Sequence, residues 1–167
     1  MSKNVRILTY SAVSAALVFV ATFLLKIPVP VIQGYVHLGD SMIYVSSYLL
    51  GPIAAIASAV GSALSDLLGG YAIYAPGTLI IKGLMGLTGG LILRKTSLAT
   101  YVIACVLGGV IMVVGYGLYD ICFFGYATAT GDALGNIVQL VGGVAIALVL
   151  YPVAVRIRKV AHFEELR

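Results

Sequence analysis

The chain has 167 residues, 61% of them hydrophobic and 10% charged, with a mean hydropathy of +1.10 and a formal net charge of +4. A soluble domain is about 45–50% apolar and about 25% charged, so the composition excludes an ordinary soluble fold and points to one small membrane-embedded domain over residues 1–167. The ten Lys and Arg residues punctuate segment ends and form no groove-like patch, which argues against nucleic acid as a partner.

A helix crossing the hydrocarbon needs about 20 apolar residues. Segment one, residues 7–27, meets this and is closed by Pro28 and Pro30; Lys3 and Arg6 before it suit a retained first helix, because no small-residue cleavage site follows. Segment two, residues 39–50, stops at Gly51-Pro52 and is stunted. A twelve-residue helix reaches only about 18 Å. Its approach, "KIPVPVIQGYVH", therefore reads as a lid-like loop dipping toward a cavity, since irregular backbone at membrane depth needs protein cover or a cavity beside it. Residues 53–68, 77–93, 98–119 and 133–155 complete an expected all-α, polytopic fold of six transmembrane helices.

If the N-terminus is cytoplasmic, alternation through six spans places Lys3, Arg6, Arg94, Lys95, Arg156, Arg158, Lys159 and Arg167 inside, eight of the ten basic residues. The positive-inside rule then predicts cytoplasmic N- and C-termini at the cell membrane. A five-span count would part the two main basic clusters. The acids fall the other way: Asp40, Asp66, Asp120 and Asp132 all face outward, joined by His37 and Lys82. Ionisable groups in a membrane are costly and usually pair or mark a solute path.

Lys82 sits well inside a span and needs an acidic partner, for which Asp66, Asp120 and Asp40 are candidates, or an anionic ligand group. Asn136 and Gln139 are three apart and share a helix face; Tyr116 and Tyr119 do the same beside Asp120, and Tyr71 and Tyr74 occupy the loop between segments three and four. The tyrosines also suit an interfacial aromatic belt, the amide pair an interhelical hydrogen bond, and Asp40 and Asp132 helix caps. Lys26 reads as a snorkelling side chain. The candidate substrate-binding set is His37, Asp40, Asp66, Tyr74, Lys82, Tyr116, Asp120, Asn136 and Gln139. Carboxylates, an ammonium and phenol rings suit a compact heteroaromatic with hydroxyls.

No P-loop, HExxH motif, Cys/His cluster or Ser-His-Asp arrangement marks a nucleotide site, metal site or catalytic centre, and Cys105 and Cys122 imply neither a disulfide nor redox chemistry. An enzyme is therefore not expected; a self-contained ion-coupled carrier or a membrane-embedded enzyme is the alternative reading.

The segment "GYVHLGD" at Gly34 to Asp40, "LLGP" after it, "IKGLMG" at Ile81 to Gly86, "GYGLYD" at Gly115 to Asp120 and "GNIVQ" at Gly135 to Gln139 together resemble the substrate-binding S components of energy-coupling factor (ECF) vitamin transporters. The resemblance is to the hydroxymethylpyrimidine and pyridoxine type, implies one of those as ligand with riboflavin and pantothenate left open, and covers nearly the whole chain. It implies a vitamin-binding subunit with no cofactor of its own, partnered by a transmembrane coupling subunit and two cytoplasmic ATPase subunits that use ATP. It also implies closure of the loop after helix one, docking through the small face at Ala12 and Ala16, and toppling in the membrane to deliver the solute. Asp120 stands where Glu is expected, which bears on its reach to a ligand.

Overall fold

The computed structural model describes residues 2–29, 34–94 and 97–160. These form six α-helices and one short β-ribbon: α1 (Lys3–Phe23), β1 (Lys26–Val29), β2 (Gly34–His37), α2 (Gly39–Leu50), α3 (Ala54–Leu68), α4 (Ala75–Ile92), α5 (Leu98–Phe123) and α6 (Tyr126–Val160). Five helical stretches are long and apolar enough to cross a membrane, with α2 and α3 counted as one stretch of 30 residues. Large apolar side chains such as Leu8, Ile56, Ile80, Leu118 and Val149 are exposed around the bundle, as lipid contact requires. The chain is a multi-pass membrane protein.

Local chemistry sets the helix ends. Ser97 caps α5 in a reciprocal box with Thr100, and Ser2 accepts from the Val5 N–H at the start of α1. At the end of α2, Gly51 takes φ 65° and Pro52 follows, so the chain makes one 3-10 turn, Gly51–Ile53, and folds back into α3. A residue with a Cβ resists that φ. The return is visible in the contacts of α4: Lys82 pairs with Asp40 at the start of α2, Ser47 donates to the Gly86 carbonyl at 3.2 Å, and Gly90 lies against Gly51. The α2–α3 stretch is thus a hairpin with both arms ending beside Thr78 and Lys82 of α4.

Because that stretch begins and ends at the same end of the bundle, five helical stretches still bring Lys3, Arg6, Arg94, Arg156, Arg158 and Lys159 to one end. Lys95 and Arg167 lie outside the described residues. The core between the two ends is filled by Tyr44, Met85, Leu93, Tyr101 and Met112, each almost fully buried. Tyr48, Tyr101 and Tyr151 pack ring against ring, and the Arg158 guanidinium lies 5.1 Å from the centre of the Tyr48 ring.

Three expectations change. The stretch after α1 contains a ribbon, in which Lys26 pairs with His37 and Val29 with Gly34, where an irregular loop is expected; residues 30–33 of the lid-like segment lie outside the described residues. Helix α6 starts at Tyr126, directly after Gly125 at φ 89°, seven positions before the apolar run begins. Asp132 is therefore inside α6 and is no N-cap. Asp40 does not cap α2 either: that helix has no side-chain cap, and the Asp40 carboxylate faces α4 and α6.

Candidate functional site

At the end away from the basic cluster, the helices surround a cavity of about 670 Å³. Every helix except α2 contributes where its sequence turns polar: Thr22 from the end of α1, Asp66 from α3, Thr78 and Lys82 one turn apart on α4, Tyr116 and Asp120 on α5, and Asp132, Asn136 and Gln139 on α6. His37 and Lys26 from the ribbon and Tyr71 and Tyr74 from the α3–α4 loop complete the wall. Of the candidates read from the sequence, His37, Asp66, Tyr74, Lys82, Tyr116, Asp120, Asn136 and Gln139 line this cavity. Asp40 stands behind Lys82, outside the lining.

The pair deepest in the wall is Lys82 and Asp40, whose ammonium and carboxylate Oδ1 are in direct contact; both side chains are almost wholly buried. Burying either charge alone would cost several kcal/mol, so each supplies what the other lacks. Of the three possible acidic partners, Asp40 is the one in contact, because α2 and α4 run side by side from the same end. The Lys82 ammonium also lies 5.5 Å from the centre of the Tyr116 ring, within cation–π range.

Gln139 ties the ribbon to this pair. Its Oε1 accepts from the His37 main-chain N–H at 2.9 Å, while its Nε2 donates to the His37 carbonyl and to Asp40 Oδ2, each at 3.0 Å. An amide has two N–H donors. Both are committed here, so Gln139 positions β2 and Asp40 and has no donor left for a solute. Gly39 makes the approach possible, since a Cβ there would meet Thr22 Oγ1 at 2.0 Å. That is the physical reason for glycine in the "LGD" sequence.

His37 is half-buried, and its Nδ1 accepts from the Gly39 N–H at 3.2 Å. The neutral ring therefore carries its hydrogen on Nε2. Burial lowers its pKa from the ordinary 6.5 to about 4; nearby Asp40 pulls the other way, while Lys82 and Lys26 add to the fall.

The remaining wall is aromatic and acidic. Tyr74 donates to Asp120 Oδ1 at 3.0 Å, and its ring meets those of Tyr116, Tyr119 and Phe124. Burial, with Asp120 beside it, pushes the Tyr74 phenol up, so it stays a donor. Tyr116 shares a 2.8 Å hydrogen bond with Thr78. Asp66 Oδ2 is buried and has no hydrogen-bond partner among the described residues. Such an atom is costly unless something donates to it. Tyr119 is the reading that fails: its ring covers Gly77, its hydroxyl donates to the Ile73 carbonyl, and it lies outside the lining.

Thr22, Thr78, Ser65 and Met112 line the cavity without having been singled out from the sequence. Thr78 lies four residues before Lys82 and so shares its helix face, a signal that was available. Lys26, read as snorkelling, sits on the rim. Ala12 and Ala16 are exposed on the outer face of α1, whose inner face, Ser14, Val18, Ala21 and Thr22, is buried. No group of three or more His, Cys, Asp or Glu residues able to hold a metal occurs among the described residues.

Comparison with known proteins identifies the family. A protein from Lactococcus lactis subsp. cremoris, the thiamine precursor transporter HmpT, is 33% identical over 157 residues, covering 93% of this chain and 91% of that protein. A Pyrococcus woesei protein, described only as an uncharacterised protein in the gap 3′ region, is 39% identical over 131 residues, 77% of this chain and 88% of its own length. Residues 2–156 match the family model described as the ECF-type riboflavin transporter, S component. A bundle with one solute-sized polar cavity and a sequence matched to that model over nearly its whole length is a transport subunit, not an enzyme, and the chain belongs to the S-component family of ECF-type transporters.

Proposed function

We propose that this chain is the substrate-specificity subunit of an ATP-driven vitamin uptake transporter and binds hydroxymethylpyrimidine or pyridoxine at the outer face of the cell membrane. The observation that carries this reading is the cavity itself. It places two tyrosine rings, Tyr74 and Tyr116, next to carboxylates at Asp66 and Asp120 and an amide at Asn136. Rings offer faces for a flat heteroaromatic, while the carboxylates accept from its hydroxyl and amino groups. The unpartnered Asp66 oxygen is the acceptor a solute would satisfy. The 33% identity to a thiamine precursor transporter supports the pyrimidine over other vitamins.

In this reading the bundle crosses the membrane six times, α2 and α3 each counting once. The end rich in Lys and Arg is cytoplasmic, which puts the cavity outside. The ribbon is the lid, held shut by Gln139. The exposed small face at Ala12 and Ala16 docks on a transmembrane coupling subunit that joins two cytoplasmic ATPase subunits, and ATP is used there, with no cofactor in this chain.

Riboflavin is a second reading, favoured by the description of the matching family model. One experiment separates the two: purify the full chain in detergent, denature it and identify the released small molecule by mass spectrometry. A near-stoichiometric pyrimidine or pyridine supports the first reading and a flavin the second. Release of neither, with no thermal stabilisation by any of the three, turns the assignment toward a self-contained carrier, which would also fail to capture ATPase partners in a pull-down.

A further inference from the structure

The charges around the cavity do not balance. Lys82 is committed to Asp40, and the rim Lys26 is exposed, where solvent and salt screen it. Against them stand three more carboxylates: Asp120, buried and accepting only a neutral phenol hydrogen; Asp66, with its unpartnered buried oxygen; and Asp132, exposed at the mouth. With Asp40 counted, the wall carries four carboxylates against two ammonium groups, and Asp66 and Asp120 are more buried than the rim lysine.

We propose that the cavity admits its heteroaromatic solute only without phosphate, as a neutral or cationic molecule, and rejects the phosphate monoester, with Asp66, Asp120 and Asp132 setting that selection. The inference rests on the heteroaromatic reading of the site. A phosphate monoester brings a charge of about −1.5 to −2 at neutral pH on oxygens that chiefly accept hydrogen bonds. Placed here it would face carboxylates in a partly water-excluded wall, and its oxygens would compete with Asp66 for donors in place of satisfying it. A neutral or protonated nitrogen base does the reverse, donating to the atom that lacks a partner.

Like-charge juxtaposition costs several kcal/mol, and about 1.4 kcal/mol is tenfold in affinity; the monoester is therefore expected to bind at least about 100-fold more weakly than the parent molecule. The test is calorimetric titration of the purified full chain with three pairs: hydroxymethylpyrimidine, pyridoxine and riboflavin, each against its phosphate monoester. The titrations are repeated on Asp66→Asn and Asp132→Asn. Asn keeps the shape and removes the charge; Asp132, being exposed at the mouth, yields a foldable variant even if Asp66→Asn does not.

The expected result is a large gap in whichever pair binds, narrowed about tenfold, within the same 1.4 kcal/mol scale, by removal of one carboxylate. Equal binding of parent and monoester overturns the selection, and so does a gap that neither substitution changes. If riboflavin alone binds, the pyrimidine assignment fails while the flavin pair still decides the selection. If no parent binds, the functional reading fails and the selection with it.

Discussion

The side chain of Gln139 bonds to both the N–H and the carbonyl of His37, 102 positions away in the chain, as a neighbouring strand would. A single amide on α6 therefore substitutes for a strand at the free edge of the ribbon, and its third bond reaches Asp40. Gln139→Leu keeps the approximate volume and removes all three bonds. A hydrogen bond is worth about 0.5–1.5 kcal/mol net, so ligand dissociation is expected to quicken roughly tenfold or more, and the amides of residues 34–37 should exchange faster. Unaltered exchange in the ribbon would show that something other than Gln139 holds it.

The Asp40 and Lys82 pair predicts a non-additive result. Lys82→Met leaves a buried carboxylate without its cation, a loss of about 3–5 kcal/mol, and Asp40→Asn strands the ammonium at similar cost. The double variant should recover much of the loss, since neither charge then remains. A thermal melt of the four proteins in detergent measures the coupling; simple additivity would mean that the pair does not act as a unit.

Acid should weaken the protein through His37. Its folded pKa, about 4, lies below the ordinary 6.5, so the unfolded chain binds the extra proton more readily. The stability linked to this ring is complete above about pH 6.5 and is lost as pH falls toward 4, amounting to at most about 3 kcal/mol. Protonation at Nδ1 also ends the hydrogen bond from the Gly39 N–H. Melting temperature followed from pH 7.5 to 4.5 should fall more steeply for the native chain than for His37→Gln, by an amount set by that figure of about 3 kcal/mol; parallel curves would remove His37 as the sensor.

Two glycines should respond oppositely to alanine. At Gly90 a Cβ would meet the Gly51 backbone at 2.2–2.3 Å, and backbone gives way poorly, so Gly90→Ala is expected to cost about 1–3 kcal/mol. At Gly117, within α5, a Cβ meets nothing within 4 Å, and Gly117→Ala should gain about 0.5–1 kcal/mol from helix propensity. Midpoints from thermal melts in one detergent test both signs.

The sequence displays some of these features openly and conceals others, for definable reasons. Helix α2 is legible to the residue, Gly39–Leu50, because Gly51-Pro52 is a strong stop. The first seven residues of α6 are not, because "YATATGD" lacks the apolar run that marks a span. The ribbon is hidden by Pro28, which reads as a breaker although a strand with a free edge accepts it. The cavity lining is largely foreseeable, since charged and amide groups in a span have few places to go. The role of Gln139 is not, because its principal partner is main chain and leaves no mark in residue identity. Nor is the choice of Asp40 for Lys82, which follows from the fold-back of the α2–α3 hairpin and not from spacing along the chain.

The tyrosine cluster at the basic end also decides how cargo can move. With Tyr48, Tyr101 and Tyr151 locked together and Arg158 seated on them, the molecule is a cup with a floor and not a tube. Under the proposed function, a solute would enter and leave by the mouth at the other end. Under the proposed function, uptake would then turn on which compartment the rim faces.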